Sequence, residues 1–313
     1  MAERIRRIVG LLLILSAVAL ALSRAPDRTV ESLVARWAPP PSEFIDLEGQ
    51  LVHLRDVGPR HDPHPIVLVH GTSASLHTWE GWMAELAKTR RVIAFDLPGF
   101  GLTGPRADQD YSADADARFT IALLDRLNLP PVVLGGNSLG GMVAWRVATL
   151  APERVQRLIL VDAAGLPDSI TSIPLGWRLA RTPVLGAVSE WALPREMVVQ
   201  GLIKAYADPE KITGELVDRY YELTLREGNR SALRERLQQF EPGADAERIA
   251  QIRQPTLILW GGRDGIIAPA SAQEFQRRIP GSTLVVFDRL GHVPHEEDPA
   301  ATLPPVQAFL AQP

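Results

Sequence analysis

The run Gly136-Asn137-Ser138-Leu139-Gly140 sets a serine between two glycines in the pattern G-x-S-x-G. The apolar run Val132-Val133-Leu134 precedes it and helical texture from Leu139 to Leu150 follows it. In that context the pattern predicts a sharp strand-to-helix turn that lifts the serine hydroxyl above a sheet edge. Bulk at position 136 or 140 would strike neighbouring backbone, which accounts for both glycines. The same turn places the Leu139 N–H at a helix amino terminus, ready to stabilise an oxyanion. The chemistry implied is nucleophilic attack on a carbonyl.

A serine hydroxyl needs a base to take its proton. The chain has 7 histidines. His53 reads as surface-directed in a hairpin, His61 and His64 lie in a loop, His70 ends a strand and His77 precedes a helix. His292, in Leu290-Gly291-His292, follows the last predicted strand, at the sheet edge where such sites form. It is the expected base. His295 is three residues on, but Pro294 intervenes and no H-E-x-x-H helix is present, so the two do not read as a metal pair. The base in turn needs a carboxylate to fix its tautomer. Asp264, in Gly261-Gly262-Arg263-Asp264, follows the seventh strand and is favoured. Asp162 follows the sixth and is the rival, with backbone capping as its plainer role. This chemistry calls for no metal and no organic cofactor.

These groups must be carried to one edge by a sheet. Phe44–Leu47 and Leu51–Leu54 read as a hairpin turning at residues 48–50. Six unalternating apolar runs follow, at 66–69, 92–95, 132–134, 158–161, 256–259 and 284–287. Strands buried on both faces have this texture, so the expectation is an α/β fold with a mostly parallel eight-stranded sheet flanked by helices. Helices are predicted at 79–88, 114–127, 139–150, 270–278 and 300–310. Between 166 and 252 the rhythm breaks into helical texture with no good strand, which predicts an inserted helical lid. The core is therefore expected at 42–165 and 253–313. Gly99-Phe100-Gly101-Leu102-Thr103-Gly104 matches a dinucleotide fingerprint, but Pro105 follows it and no helix opens there, so it is set aside.

The order Ser138, Asp264, His292 resembles the α/β-hydrolase superfamily. The similarity spans about residues 43–312 and takes in His70-Gly71-Thr72, Asp96-Leu97-Pro98-Gly99-Phe100-Gly101, and Gly291-His292 followed by Glu296 and Pro299. The resemblance implies that Thr72 supplies a second oxyanion N–H beside Leu139, and that the helical insertion is a cap over the active site. A serine at the elbow implies acyl transfer or hydrolytic C–C cleavage of ring-fission products. A carboxylesterase or lipase-like enzyme is the expected activity, because the early cap is rich in apolar residues suited to a small-molecule ester with a greasy acyl group. Trp177, Trp191 and Val293 are the expected substrate contacts. The C–C hydrolase is the alternative, and a ligand-binding receptor of the same fold is the alternative from another class.

With 313 residues, 46% hydrophobic, 22% charged and a formal net charge of −4, the chain can build a large core and shows no signature of a nucleic-acid partner. It has no cysteine, which excludes disulfides and thiolate chemistry. Arg4, Arg6 and Arg7 precede an uncharged stretch, Ile8 to Ser23, of roughly 24 Å as a helix against a hydrocarbon core of ~30 Å. Residues 1–41 are therefore expected to be a membrane anchor plus linker that leaves the catalytic domain outside the cytoplasm, with signal cleavage near Ala19-Leu20-Ala21 as the alternative. Val30, Leu33, Val34 and Trp37 share one helical face that suits a membrane surface, or packs on the domain as an ordinary first helix. Export counts against the C–C hydrolase, because ring-fission products arise in the cytoplasm.

Overall fold

The strands β1 (Ser42–Leu47), β2 (Gln50–Val57), β3 (Ile66–Val69), β4 (Val92–Phe95), β5 (Val132–Asn137), β6 (Val155–Val161), β7 (Thr256–Gly261) and β8 (Thr283–Phe287) form one sheet in the order β1-β2-β4-β3-β5-β6-β7-β8. The computed structural model that shows this describes residues 2–312. β1 and β2 are an antiparallel hairpin with Leu47 opposite Gln50, and β2 runs antiparallel to β4. The remaining neighbours are parallel.

Two helices, α1 (Ala2–Leu22) and α2 (Val30–Trp37), precede the sheet. Helices α3 (Glu80–Leu86), α4 (Ala113–Arg126) and α5 (Leu139–Leu150) follow β3, β4 and β5 in turn. Between β6 and β7 lie α6 (Leu175–Ala180), α7 (Pro183–Ser189), α8 (Arg195–Ala205), α9 (Gly214–Thr224) and α10 (Asn229–Gln239), with no named strand. α11 (Ala270–Arg278) follows β7, and α12 (Pro294–Glu297) and α13 (Pro299–Leu310) follow β8. Every residue of β3, β4, β5 and β7 is buried. The reason is a core on each face. Phe119, Leu123, Met142, Trp145 and Phe275 cover one side, and Trp79, Trp82, Met83, Leu303 and Phe309 the other. At about 1.5–3 kcal/mol for each large apolar side chain taken fully from water, two covered faces favour continuous apolar strands over alternating ones.

The expected anchor is corrected by this structure. Among the described residues no helix is long and apolar enough to cross a membrane. Glu3, Arg4, Arg6 and Arg7 occupy the first turns of α1. What remains, 8–22, measures roughly 22 Å at about 1.5 Å per residue, short of a ~30 Å hydrocarbon core. A location at the membrane with an exported domain loses its support, as does the membrane-partner reading that went with it. The segment after α1 is bound to the insertion instead. Leu193 N–H donates to the Ser23 carbonyl (3.1 Å), Ala25 N–H to Trp191 (3.1 Å) and Arg28 N–H to Leu225 (2.7 Å). The face of α2 read as membrane-facing is packed inward. Trp37 is 5% exposed, clusters with Leu33, Leu102 and Leu223, and donates its Nε1–H to Glu222 (2.7 Å).

His53 is a second correction. It is buried, not surface-directed, because β2 lies inside the sheet, between β1 and β4. Its Nδ1 pairs with Asp96 Oδ2 (2.7 Å) and its Nε2 with Ser42 Oγ (3.0 Å). His77 and His295 are also buried. His77 Nε2 meets the Trp37 carbonyl (2.7 Å). His295 stacks on Trp79 with ring centroids 4.0 Å apart, and its Nε2 lies 3.0 Å from Thr78 Oγ1. Burial pushes both imidazoles down to about 3. Because the folded value lies below the unfolded one, the stability these groups contribute is present above about pH 6.5 and is lost as pH falls toward 3. Thermal melts should show a clear loss between pH 7 and pH 5, about 2 kcal/mol for each of the two histidines at pH 5. His77→Gln should remove its share of that dependence, and a melting temperature indifferent to pH over this range would contradict the assignment.

Candidate active site

β5 runs directly into α5, and Ser138 occupies the junction at φ 54°, ψ −116°. This left-handed backbone is costly for a residue with a side chain. The surroundings impose it: a Cβ on Gly136 would lie 2.1 Å from the Gly140 carbonyl oxygen, and one on Gly140 2.1 Å from that of Val69. The turn presses against β3 so closely that only glycine fits on either side. Leu139 is the first residue of α5, so its N–H has no intrahelical acceptor. Thr72 lies in the loop after β3, which His70 holds. Leu97 N–H donates to His70 Nε2 (2.9 Å), which leaves Nδ1–H to donate to the Gly71 carbonyl (2.7 Å). Burial keeps that imidazole below its ordinary range, consistent with a neutral structural histidine.

His292 follows β8. Its Nδ1 lies 2.7 Å from Asp264 Oδ2, so Nε2 is left as the basic nitrogen. Asp264 is itself fixed, because Oδ1 accepts from Ile266 N–H (2.7 Å) and Ile267 N–H (2.9 Å). Its rival Asp162 turns elsewhere: Oδ1 accepts from Gly261 N–H (2.9 Å), while Oδ2 is buried without a partner. Burial first, and the Asp264 carboxylate second, push the Asp162 carboxyl well above the usual carboxylate range. Of the two acids, Asp264 is the one hydrogen-bonded to His292. Carboxylate oxygens of Asp162 and Asp264 and a ring nitrogen of His292 lie within 4.8 Å of one another, so both acids and the base form one cluster.

Two supporting residues escaped the sequence reading. Asn137 Nδ2 donates to the His292 carbonyl (2.9 Å) and to that of Val161 (3.2 Å), tying the elbow to the histidine loop. Glu297 accepts from Gly291 N–H (2.7 Å) at Oε2 and from Ala207 and Asp208 N–H (3.1 and 2.9 Å) at Oε1. His292 N–H also donates to Ala205 (2.7 Å), at the end of α8. Asn137 had a signal, its place beside the serine. Glu297 had none that set it apart from Glu296.

Two cavities of about 610 and 140 Å³ meet at Ser138, with Thr72, Trp177 and Ile266 in the walls of both. His292 and Val293 line the smaller one. Trp177 reaches the site and donates its Nε1–H to Ser73 Oγ (3.2 Å). Trp191 does not: it is 42% exposed, beyond the end of α7, and borders neither cavity. Its carbonyl receives Ala25 N–H, which holds that stretch on the outer surface of the insertion. One wall of the smaller cavity is Arg230, 6% exposed. Its Nη2 donates to Asp27 (2.6 Å), whereas Nε and Nη1 are buried with no partner.

A serine at a strand-to-helix elbow and an imidazole–carboxylate pair at the edge of such a sheet suit a hydrolase, and the chain belongs to the α/β hydrolase fold family, whose model matches residues 64–299. It is 31% identical over 275 residues to the 2-hydroxy-6-oxo-2,4-heptadienoate hydrolase of Pseudomonas putida, covering 84% of this chain and 94% of that one. It is 30% identical over 260 residues to the 2-hydroxymuconate semialdehyde hydrolase of a Pseudomonas species, covering 79% and 87%. The solved meta-cleavage product hydrolase of Pseudomonas fluorescens IP01 superposes with a TM-score of 0.74 at 27% identity, over 86% of this chain and 97% of that one.

Replacing Asp264 by Asn should lower kcat by about 10³- to 10⁴-fold by presenting the wrong tautomer to His292. Ser138→Ala should abolish labelling by a fluorophosphonate, read by intact-protein mass spectrometry. Labelling that persists in Ser138→Ala would move the nucleophile elsewhere.

Proposed function

We propose that the chain is a serine hydrolase that splits the carbon–carbon bond of carboxylate-bearing ring-fission products. In this reading Ser138 attacks the ketone carbonyl while His292 takes its proton, and Asp264 stabilises the imidazolium. The N–H groups of Thr72 and Leu139 hold the tetrahedral oxyanion. Collapse of that adduct breaks the C–C bond. With the 2-hydroxy dienoate first ketonised to its 2-oxo tautomer, the electron pair passes into that conjugated oxo-acid as an enolate, which takes the proton from the His292 imidazolium and leaves His292 neutral. Water, deprotonated by His292, releases the acyl group from Ser138.

The observation that carries the choice of substrate is Arg230. A buried guanidinium with two unpartnered nitrogens, Nε and Nη1, in the wall of the cavity that reaches Ser138 and His292, is suited to an anionic substrate group. The names of the two Pseudomonas relatives support this reading, since they describe hydrolases of 2-hydroxymuconate semialdehyde and 2-hydroxy-6-oxo-2,4-heptadienoate. The sequence preferred an ester, partly because an exported enzyme would not meet ring-fission products. The anchor, one of the two routes to export behind that objection, is not supported by the structure. Ester hydrolysis is kept as a second reading on one observation: Leu193, Met197, Val198, Leu202 and Val293 give the smaller cavity a largely apolar wall.

Comparing kcat/KM for a 2-hydroxy-6-oxo-dienoate with p-nitrophenyl esters of rising acyl length separates the two. The dienoate should be preferred. Arg230→Met should raise its KM by about 10- to 100-fold relative to the neutral esters, the value of one lost charged hydrogen bond of about 1.5–3 kcal/mol. Rapid turnover of long-chain esters with no cleavage of the dienoate would establish the ester reading instead.

A further inference from the structure

Asp162 directly follows β6, at φ 44°, a left-handed backbone that a residue with a side chain adopts only where its surroundings require it. It is fully buried. One carboxyl oxygen accepts from the Gly261 N–H; the other is sealed from solvent and finds no donor. The groups facing it are Asp264 after β7, His292 after β8 and Glu297 on α12. The catalytic role drawn above gives this residue nothing to do, yet it lies against the acid that orients the base.

Two carboxylates this close and this deeply buried repel strongly when both are ionised, and a proton between them removes the conflict. The hydrogen bonds say which one carries it. Asp264 receives two backbone N–H groups on one oxygen and the imidazole N–H on the other, all contacts that favour an anion. Asp162 receives a single N–H and has one oxygen free. A hydrogen on that free oxygen turns an unmatched acceptor into a donor directed at the neighbouring carboxylate.

We propose that Asp162 is held as the neutral acid and donates a hydrogen bond to Asp264, so that the pair presents one negative charge to His292 and the array has four members. Asp162 is then a positioning residue: it acts on the base through Asp264 and touches no substrate. Burial and the Asp264 charge, which raise its carboxyl well above the usual range, agree with this. The extra donor draws charge away from the imidazole and fixes the Asp264 carboxylate plane. The role rests on the Ser138–His292–Asp264 reading and is independent of which acyl substrate is cleaved.

The test uses the full chain. Infrared difference spectra of wild type against Asp162→Asn, at neutral pH in H₂O and D₂O, should show a protonated-carboxyl C=O stretch that shifts on deuteration and is missing from the variant. Asp162→Ala should lower kcat by about 10- to 100-fold with KM nearly unchanged, and Asp162→Asn, whose amide can both accept from Gly261 and donate to Asp264, should recover most of that loss. At alkaline pH the wild type should lose activity as Asp162 ionises, and Asp162→Asn should lack that limb. Absence of the carboxyl band, or an Asp162→Asn variant as impaired as Asp264→Asn, would overturn the proposal. Fluorophosphonate labelling of Ser138 in the same samples reports separately on the reading beneath it.

Discussion

Ser138 stands at positive φ because Gly136 and Gly140 leave no room for any other path between β5 and α5. That steric wedge dictates where everything else must be. β5 lies mid-sheet, between β3 and β6, with β7 and β8 beyond. In a parallel sheet the chain leaves each of these strands at the same edge, so the loops after β3, β6, β7 and β8 gather around the serine. Thr72, Asp162, Asp264 and His292 come from those four loops. Far apart in sequence, they are close because four parallel strands end together. Asn137 completes the arrangement, since the residue before Ser138 donates to the His292 carbonyl.

The strands and most helices were legible because burial on two faces leaves a strong trace, an unbroken apolar run with helical texture to either side. Ser138 and His292 were legible because each stands just past such a run. Choosing between Asp264 and Asp162 was harder. Both stand just past a strand, Asp162 directly and Asp264 three residues on, and it is the hydrogen bond between Asp264 and His292 that distinguishes them. His53 was misread because a hairpin pattern does not reveal that β2 is covered by the loop bearing Asp96. Trp191 and the amino-terminal segment failed for a common reason. An apolar stretch declares that it seeks cover, and what covers it is a tertiary fact. Arg230 was invisible for the opposite reason: a charged residue in a charged helix reads as surface until the fold closes over it.

The insertion is joined unevenly to the catalytic loops. At α8, α9 and the stretch between them the ties are many. His292 and Gly291 bond through their N–H groups to Ala205 and Glu297, and Glu297 also holds Ala207 and Asp208. Glu296 accepts from Tyr220 and Thr78 hydroxyls (2.8 Å each) and pairs with Arg219. Several of these groups are buried and charged, so separating them would strand ions away from water at a cost of several kcal/mol each, roughly. At α6 the tie to the loop after β3 is the Trp177–Ser73 hydrogen bond. Lifting α8 and α9 as one piece would therefore pull the loop that carries His292 away from Ser138. The two ends of the insertion are tied to different loops: the α8–α9 end to the loop of His292, and the start to the loops after β3 and β7 through Trp177–Ser73, Thr171–Ile266 and Ala268–Ser169.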